Sequence, residues 1–302
     1  MKPETVEVIQ KNILLLTKND LKEYEYIPQH NKPLPSLLTL REIVELLRAI
    51  IFPGYFGPEI VNPNTLEFHL GVKIERLYIL LKEQILNGLR FNSIDSEIDY
   101  FDEKASETAL SFINKTPELK RLLSTDIKAT FDGDPSANTY GEVIFSYPSI
   151  RAVFNHRIAH ELLNLGVPVI PRVISELAHS ETGIDIHPGA QIREYFSIDH
   201  GTGVVIGETC IIGNHVRLYQ GVTLGAVRFR IDENGKPLSL PRHPILEDNV
   251  VVYANANILG RITIGRDSTI GGNVWLTTDV PPGSSILQQK AVISSFYDGL
   301  GI

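Results

Sequence analysis

IDHGTGVVIGETCIIGNHVRLYQGVTLG, residues 198–225, repeats a large aliphatic residue every six positions, at Ile206, Ile212, Leu218 and Leu224. The ladder reaches back through Ile186, Ile192 and Ile198, with one step of eight residues between Ile198 and Ile206. It resumes at Leu246, Val252, Ile258, Ile264, Ile270 and Leu276. A second apolar or small residue follows four positions later, at Ala190, Cys210, Val216, Val222, Val250, Ala256, Ile262, Ser268 and Val274, and Gly follows the aliphatic at 207, 213, 225, 265 and 271. A six-residue period is too short for an amphipathic helix and too regular for a sandwich. It suits short strands joined by corners, three to a coil, whose aliphatics stack into one continuous core. The spacing predicts a parallel β-helix over residues 183–283.

Residues 226–241, AVRFRIDENGKPLSLP, interrupt the period with a polar, turn-rich segment that must leave the coil. Upstream, residues 1–182 carry helical spacing. Leu37, Leu40, Ile43, Leu47 and Ile50 follow Ser36, a natural N-cap, and stop at Pro53-Gly54. A second helix is expected over 66–89, and a third is expected to open at Thr116-Pro117-Glu118, with Thr as cap and Pro in the first turn. A fourth starts near Pro148, sets Ile150, Val153, Phe154, Ile158 and Leu162 inward, and ends at Gly166. The expected organisation is a helical N-terminal domain over 1–182, the coil over 183–283, and a tail over 284–302.

The chain has 302 residues, of which 43% are hydrophobic and 21% charged, the balance of a globular protein rather than a disordered one. Twenty-eight Lys and Arg against 36 Asp and Glu give a net charge of −8, which repels nucleic acid and anionic lipid. No apolar run approaches the ~20 residues needed to cross a bilayer. A single cysteine, Cys210, excludes an internal disulfide, and the N-terminal residues MKPETVEVIQ lack a secretory pattern, so a cytoplasmic location is expected.

Chemistry concentrates at the corners. His200 stands two residues beyond Ile198, Asp185-Ile186-His187-Pro188 opens the coil, and Arg242-His243-Pro244 returns the excursion to it. An imidazole paired with a carboxylate is what a general base for a hydroxyl needs, because the carboxylate fixes the tautomer and stabilises the imidazolium. The same residues also suit plain turns that satisfy corner amides. Cys210 falls at an inward position and reads as a structural thiol. His156 and His160, four apart on one helical face, read as interface packing in the absence of an evident third metal ligand.

Taken together, Asp134-Pro135-Ser136-Ala137, Asp185-Ile186-His187-Pro188-Gly189-Ala190, the DHGTGVVIGET run at 199–209, Tyr219-Gln220-Gly221-Val222-Thr223-Leu224-Gly225 and Arg242-His243-Pro244 resemble the serine O-acetyltransferases, a branch of the hexapeptide-repeat acyltransferases. The resemblance covers about residues 130–283 and implies an α+β chain with a left-handed β-helix, an exception to the usual right-handed crossover. It implies acetyl transfer from acetyl-CoA to the hydroxyl of L-serine by direct attack, on the way to cysteine, with no metal. His200 is then the general base, Asp185 its carboxylate partner, and His243 an assistant at the reacting hydroxyl. Arg242 is to pair with the serine carboxylate, and Asp134 and Asp199 with its ammonium group. Gly225, Ala254 and Gly272 are to line the acetyl-CoA path. The family's coils pack as trimers with sites in the clefts between neighbours, and helical domains can join two trimers into a hexamer. The ending Asp298-Gly299-Leu300-Gly301-Ile302 resembles the tail whose last Ile enters O-acetylserine sulfhydrylase, and feedback inhibition by cysteine is implied as well.

The chain departs from the family after Pro281-Pro282-Gly283, where Ser284-Ser285-Ile286-Leu287-Gln288-Gln289-Lys290 replaces a Gly-x-Pro-Ala-basic segment that helps to hold CoA. The long excursion carries Arg228, Arg230 and Lys236, which are expected to supply phosphate contacts instead. The competing readings are a hexapeptide acyltransferase with another hydroxyl acceptor, a zinc hydratase in which His187, His200 and His243 converge from neighbouring subunits, and an inactive scaffold for the sulfhydrylase.

Overall fold

The computed structural model describes residues 1–17, 32–58, 60–91, 98–228, 231–236 and 238–289. Among these, seven α-helices precede the strands: α1 (Pro3–Thr17), α2 (Leu37–Ile51), α3 (Leu66–Arg90), α4 (Ile98–Gly133), α5 (Tyr140–Ser146), α6 (Pro148–Asn164) and α7 (Ile170–Thr182). The Ser36 hydroxyl caps α2 by accepting the Thr39 N–H at 3.3 Å, as its spacing predicts. The third expected start is corrected: Thr116-Pro117 lies inside α4. Proline has no N–H for the carbonyl of Ile113, which would ordinarily end a helix, but the Thr116 hydroxyl donates to that carbonyl at 2.8 Å and the helix runs on.

Among the described residues, fourteen short strands then wind into a left-handed parallel β-helix with three faces. The first face holds β1 (Asp185–Ile186), β4 (Val205–Ile206), β7 (Thr223–Gly225), β10 (Asn257–Leu259) and β13 (Trp275–Leu276). The second holds β2 (Gln191–Ile192), β5 (Ile211–Ile212), β8 (Ile245–Leu246) and β11 (Thr263–Ile264). The third holds β3 (Ser197–Ile198), β6 (Arg217–Leu218), β9 (Val251–Val252), β12 (Thr269–Ile270) and β14 (Ser285–Ile286). Every pairing is parallel and in the register of the repeat, Ile206 against Leu224 and Leu218 against Val252. The aliphatics point inward: Ile206, Ile212, Leu218, Leu224, Leu246, Val252, Ile258, Ile264 and Ile270 are all buried, as are the second-position residues from Ala190 to Val274. Corners turn through left-handed residues, including His200, His215, Asn249, Asn255, Asp267 and Asn273. Asn, Asp and His tolerate that region better than most residues do.

The helices dock on the first coil, α7 and α6 against β1 and α4 against β3. A buried ion pair ties the halves together. The Arg157 guanidinium donates to both oxygens of Asp126, at 2.8 and 2.9 Å. It also donates to the carbonyls of Ile192 and Arg193, at 2.8 and 2.7 Å, while the Phe196 N–H donates to Asp126 at 3.1 Å. His160 Nδ1 donates to the Pro188 carbonyl at 2.7 Å, and its neighbour His156 is buried, which holds the His156 pKa well below the usual imidazole value. Both histidines of that pair serve the helix–coil junction. Among the described residues no helix is long and apolar enough to cross a membrane.

Candidate functional site

Two edges of the three-sided coil carry the candidate chemistry. The first lies between the third and first faces. Its opening corner, residues 199–204 between β3 and β4, is two residues longer than the later corners on that edge, which is the eight-residue step of the repeat. The extra length holds His200 outward at φ +57°, with its side chain 73% exposed and Nε2 3.9 Å from an oxygen of Asp199. Gly201 follows at φ +93° against Ile184, where a Cβ would collide with the Ile184 side chain, so the corner can close only on glycine.

The helical half reaches this edge through the end of α4, where Arg217 of the coil donates to the Gly133 carbonyl at 3.0 Å. Asp134 comes next. Its carboxylate accepts the Ser136 hydroxyl at 2.6 Å, the Tyr147 hydroxyl at 2.6 Å and the Ser136 N–H at 2.8 Å. These bonds hold its pKa down at about 2, with a further contribution from His200. Asp134, Asp199 and His200 therefore gather on one edge, two carboxylates about one imidazole.

Asp185, at the start of β1, makes no hydrogen bond to His200. Its carboxylate lies within 4.8 Å of ligand atoms of Glu176 and His179 on α7. His179 Nδ1 meets Glu176 at 3.1 Å, and Arg172 pairs with Glu176 at 2.6 Å, so that acid is already compensated.

The second edge lies between the first and second faces, where the excursion leaves after β7 and returns at Arg242-His243. Arg242 pairs with Glu208 at 2.6 Å. His243 is 7% exposed and packs over Gly207, where a Cβ would run into the imidazole ring. Thr209 organises the ring. Its hydroxyl accepts the N–H groups of Arg242 and His243, at 2.9 and 3.1 Å, which leaves the hydroxyl proton for His243 Nδ1 at 2.9 Å. The Thr209 N–H donates to the same nitrogen at 3.1 Å. Nδ1 thus accepts twice, and the neutral ring carries its proton on Nε2. Burial, reinforced by Arg242, lowers the His243 pKa to about 4, so the ring is a neutral N–H donor at pH 7.

Thr209 is a residue the sequence reading did not single out, although it stands in the quoted run. Thr209→Val will remove one donor to Nδ1 and orphan two amides; we expect kcat/KM to fall by about tenfold or more, with Thr209→Ser restoring it. Steady-state rates for the two variants check this, and a fully active valine variant would remove Thr209 from the site.

Three histidines do not converge in one chain. His187 Nδ1 accepts the Gly189 N–H at 3.0 Å, His243 Nδ1 is occupied as above, and His200 stands on the other edge. Cys210 is buried, which pushes its thiol up to about 12 and removes it as a nucleophile.

Of the positions expected along the donor path, Gly225 ends β7 at the second edge. Ala254 and Gly272 lie one above the other on the first, where a Gly272 Cβ would meet the Ala254 carbonyl at 3.1 Å. Arg228 lines a cavity with Val227, Leu238, Leu240, Arg242 and Arg261 beneath the excursion. Arg230 and the tail ending at Ile302 lie outside the described residues.

Known proteins bear on this geometry. Residues 243–278 match the family described as bacterial transferase hexapeptide (six repeats). A plasmid-borne serine acetyltransferase of Synechococcus elongatus is 48% identical over 276 residues, 89% of this chain and 86% of that protein. The crystal structure of Entamoeba histolytica serine acetyltransferase 1 in complex with L-cysteine superposes with a TM-score of 0.71 at 34% identity, covering 90% of this chain and 93% of that one. Neisseria gonorrhoeae serine acetyltransferase in complex with serine gives a TM-score of 0.51 at 26% identity, over 85% of this chain and 96% of that one. The matched 276 residues take in most of the helical half as well as the coil, and the chain belongs to the serine acetyltransferase family.

Proposed function

We propose that this chain transfers the acetyl group of acetyl-CoA to the hydroxyl of L-serine, giving O-acetyl-L-serine for cysteine biosynthesis in the cytoplasm. The observation that carries the reading is the 48% identity to a serine acetyltransferase across 89% of the chain. The charges agree with it. A zwitterion needs anions at one end and a cation at the other, and Asp134 and Asp199 stand on one edge while Arg242 stands on the other.

His200 removes the serine hydroxyl proton as the oxygen attacks the thioester carbonyl. The tetrahedral adduct then collapses, the C–S bond breaks, and the imidazolium returns its proton to the CoA sulfur. The exposed His200 ring turns toward Asp185, which steadies the imidazolium. His243, fixed as an Nε2–H donor, hydrogen-bonds the reacting oxygen. Acetyl-CoA runs past Gly225, Ala254 and Gly272, and no metal takes part.

His200 and His243 stand on different edges of one coil, so a complete site needs a neighbouring copy. This supports a homotrimer, or a hexamer of two trimers, with the site in the cleft between chains. The E. histolytica relative bound to L-cysteine supports feedback inhibition at the serine site.

The test is release of CoA thiol from acetyl-CoA by purified protein with L-serine, D-serine, L-homoserine or no acceptor. Release selective for L-serine is expected; preference for another hydroxyl acceptor would replace the reading. The C-terminal Ile302 is further proposed to capture O-acetylserine sulfhydrylase, its aliphatic side chain and terminal carboxylate entering an amino-acid site. A chain lacking Ile302 should keep its acetyl transfer and lose co-elution with the sulfhydrylase, and unchanged co-elution would dismiss the tail.

A further inference from the structure

On the first face, Asp185, Val205, Thr223, Asn257 and Trp275 lie in register, one outward position per coil. Four strand spacings of about 4.8 Å separate the first from the last, about 19 Å in all. At the Asp185 end the column is closed by α7, which packs on β1 and brings Glu176 and His179 against the carboxylate. At the other end it finishes on Trp275, the chain's single tryptophan, which is 68% exposed. The intervening outward residues, Val205, Thr223 and Asn257, carry no ring. Tyr219 and Tyr253, on the neighbouring corners, cover each other's faces at 4.9 Å between ring centres, whereas Trp275 has no ring contact among the described residues.

We propose that Trp275 is the platform on which the adenine of acetyl-CoA stacks. The inference rests on the acetyl-CoA reading above. A thioester whose acyl carbon sits beside His200 has its long arm barred by α7 on one side and can extend only along the column toward β13. There the nucleotide meets a flat, open indole. Base stacking on an aromatic ring is tolerant of exact placement and strong enough to govern affinity. It also supplies a hold on the nucleotide end in a chain that lacks the basic segment after Gly283.

Because Trp275 is the only tryptophan, emission from the intact protein reports on it alone. CoA and adenosine 3′,5′-bisphosphate should both quench that emission, and pantetheine, which lacks the nucleotide, should not. Trp275→Leu should raise the KM for acetyl-CoA about tenfold or more while the KM for L-serine holds, and Trp275→Tyr should recover most of the loss.

Thiol release with L-serine by the unaltered protein tests the underlying reading separately. If that protein is active yet its emission ignores the bisphosphate and Trp275→Leu leaves the KM for acetyl-CoA unchanged, the platform is refuted. Blue-shifted, unquenched emission from the unaltered protein, together with a changed oligomeric mass in Trp275→Leu, would also overturn it, assigning the ring to contact between copies.

Discussion

Replacing His200 with asparagine will lower turnover by about 10²–10⁴-fold, the usual contribution of a positioned general base. Asparagine is the better substitution than alanine because position 200 has φ +57°, a region that asparagine tolerates and alanine does not. The side chain is 73% exposed, so the melting temperature should hold while kcat falls. The loss should sit in kcat rather than in the KM for L-serine, since Asp134, Asp199 and Arg242 remain to bind the acceptor. Wild-type turnover in a folded His200→Asn protein would remove His200 as the base and shift attention to His243. The pKa of about 4 and the two donors on Nδ1 make His243 a poor candidate for that role.

The second large effect is on stability. Arg157→Met will strand the Asp126 carboxylate, which is fully buried, with only the Phe196 N–H as partner. It will also leave the carbonyls of Ile192 and Arg193 without the donor that now satisfies them. Removing one member of a buried pair costs about 3–5 kcal/mol, a large share of the stability of an ordinary domain. The apolar double replacement that is often harmless elsewhere should not rescue this site, because three backbone groups of the coil depend on the pair. Urea unfolding of the single and double variants measures this. A loss below about 1 kcal/mol in Arg157→Met would show that the helix–coil junction does not rest on the pair.

The coil was legible because its period is enforced by one physical demand, an aliphatic at every inward position, and nothing else in the chain competes with it. Even the one irregular step, from Ile198 to Ile206, marked the corner that projects His200. The helical half was less transparent. Pro117 read as a helix start because the local rule is sound, and it failed because a neighbouring hydroxyl took over the carbonyl that proline abandons. Helices α1, α5 and α7 were not singled out, although Ile170, Ile174 and Ala178 of α7 recur every four residues on its buried face.

The residue types of the candidate site stand in the sequence, whereas which of them meet depends on the fold. The family resemblance pairs Asp185 with His200; in this chain His200 Nε2 lies 3.9 Å from Asp199, and Asp185 lies beside Glu176 and His179. Thr209 illustrates the same limit. A threonine in a repeat corner looks like any other until the excursion folds back and brings His243 over Gly207.

The placement of His200 and His243 on separate edges has a genetic consequence in the trimer proposed above. A site would be owned by two chains, each lending one edge to the neighbour on either side. A subunit faulty at His200 would then spoil one cleft and still serve the other with an intact His243. Two alleles, each inactive alone and each damaged on a different edge, would rebuild working clefts when expressed together, so the two losses would complement each other.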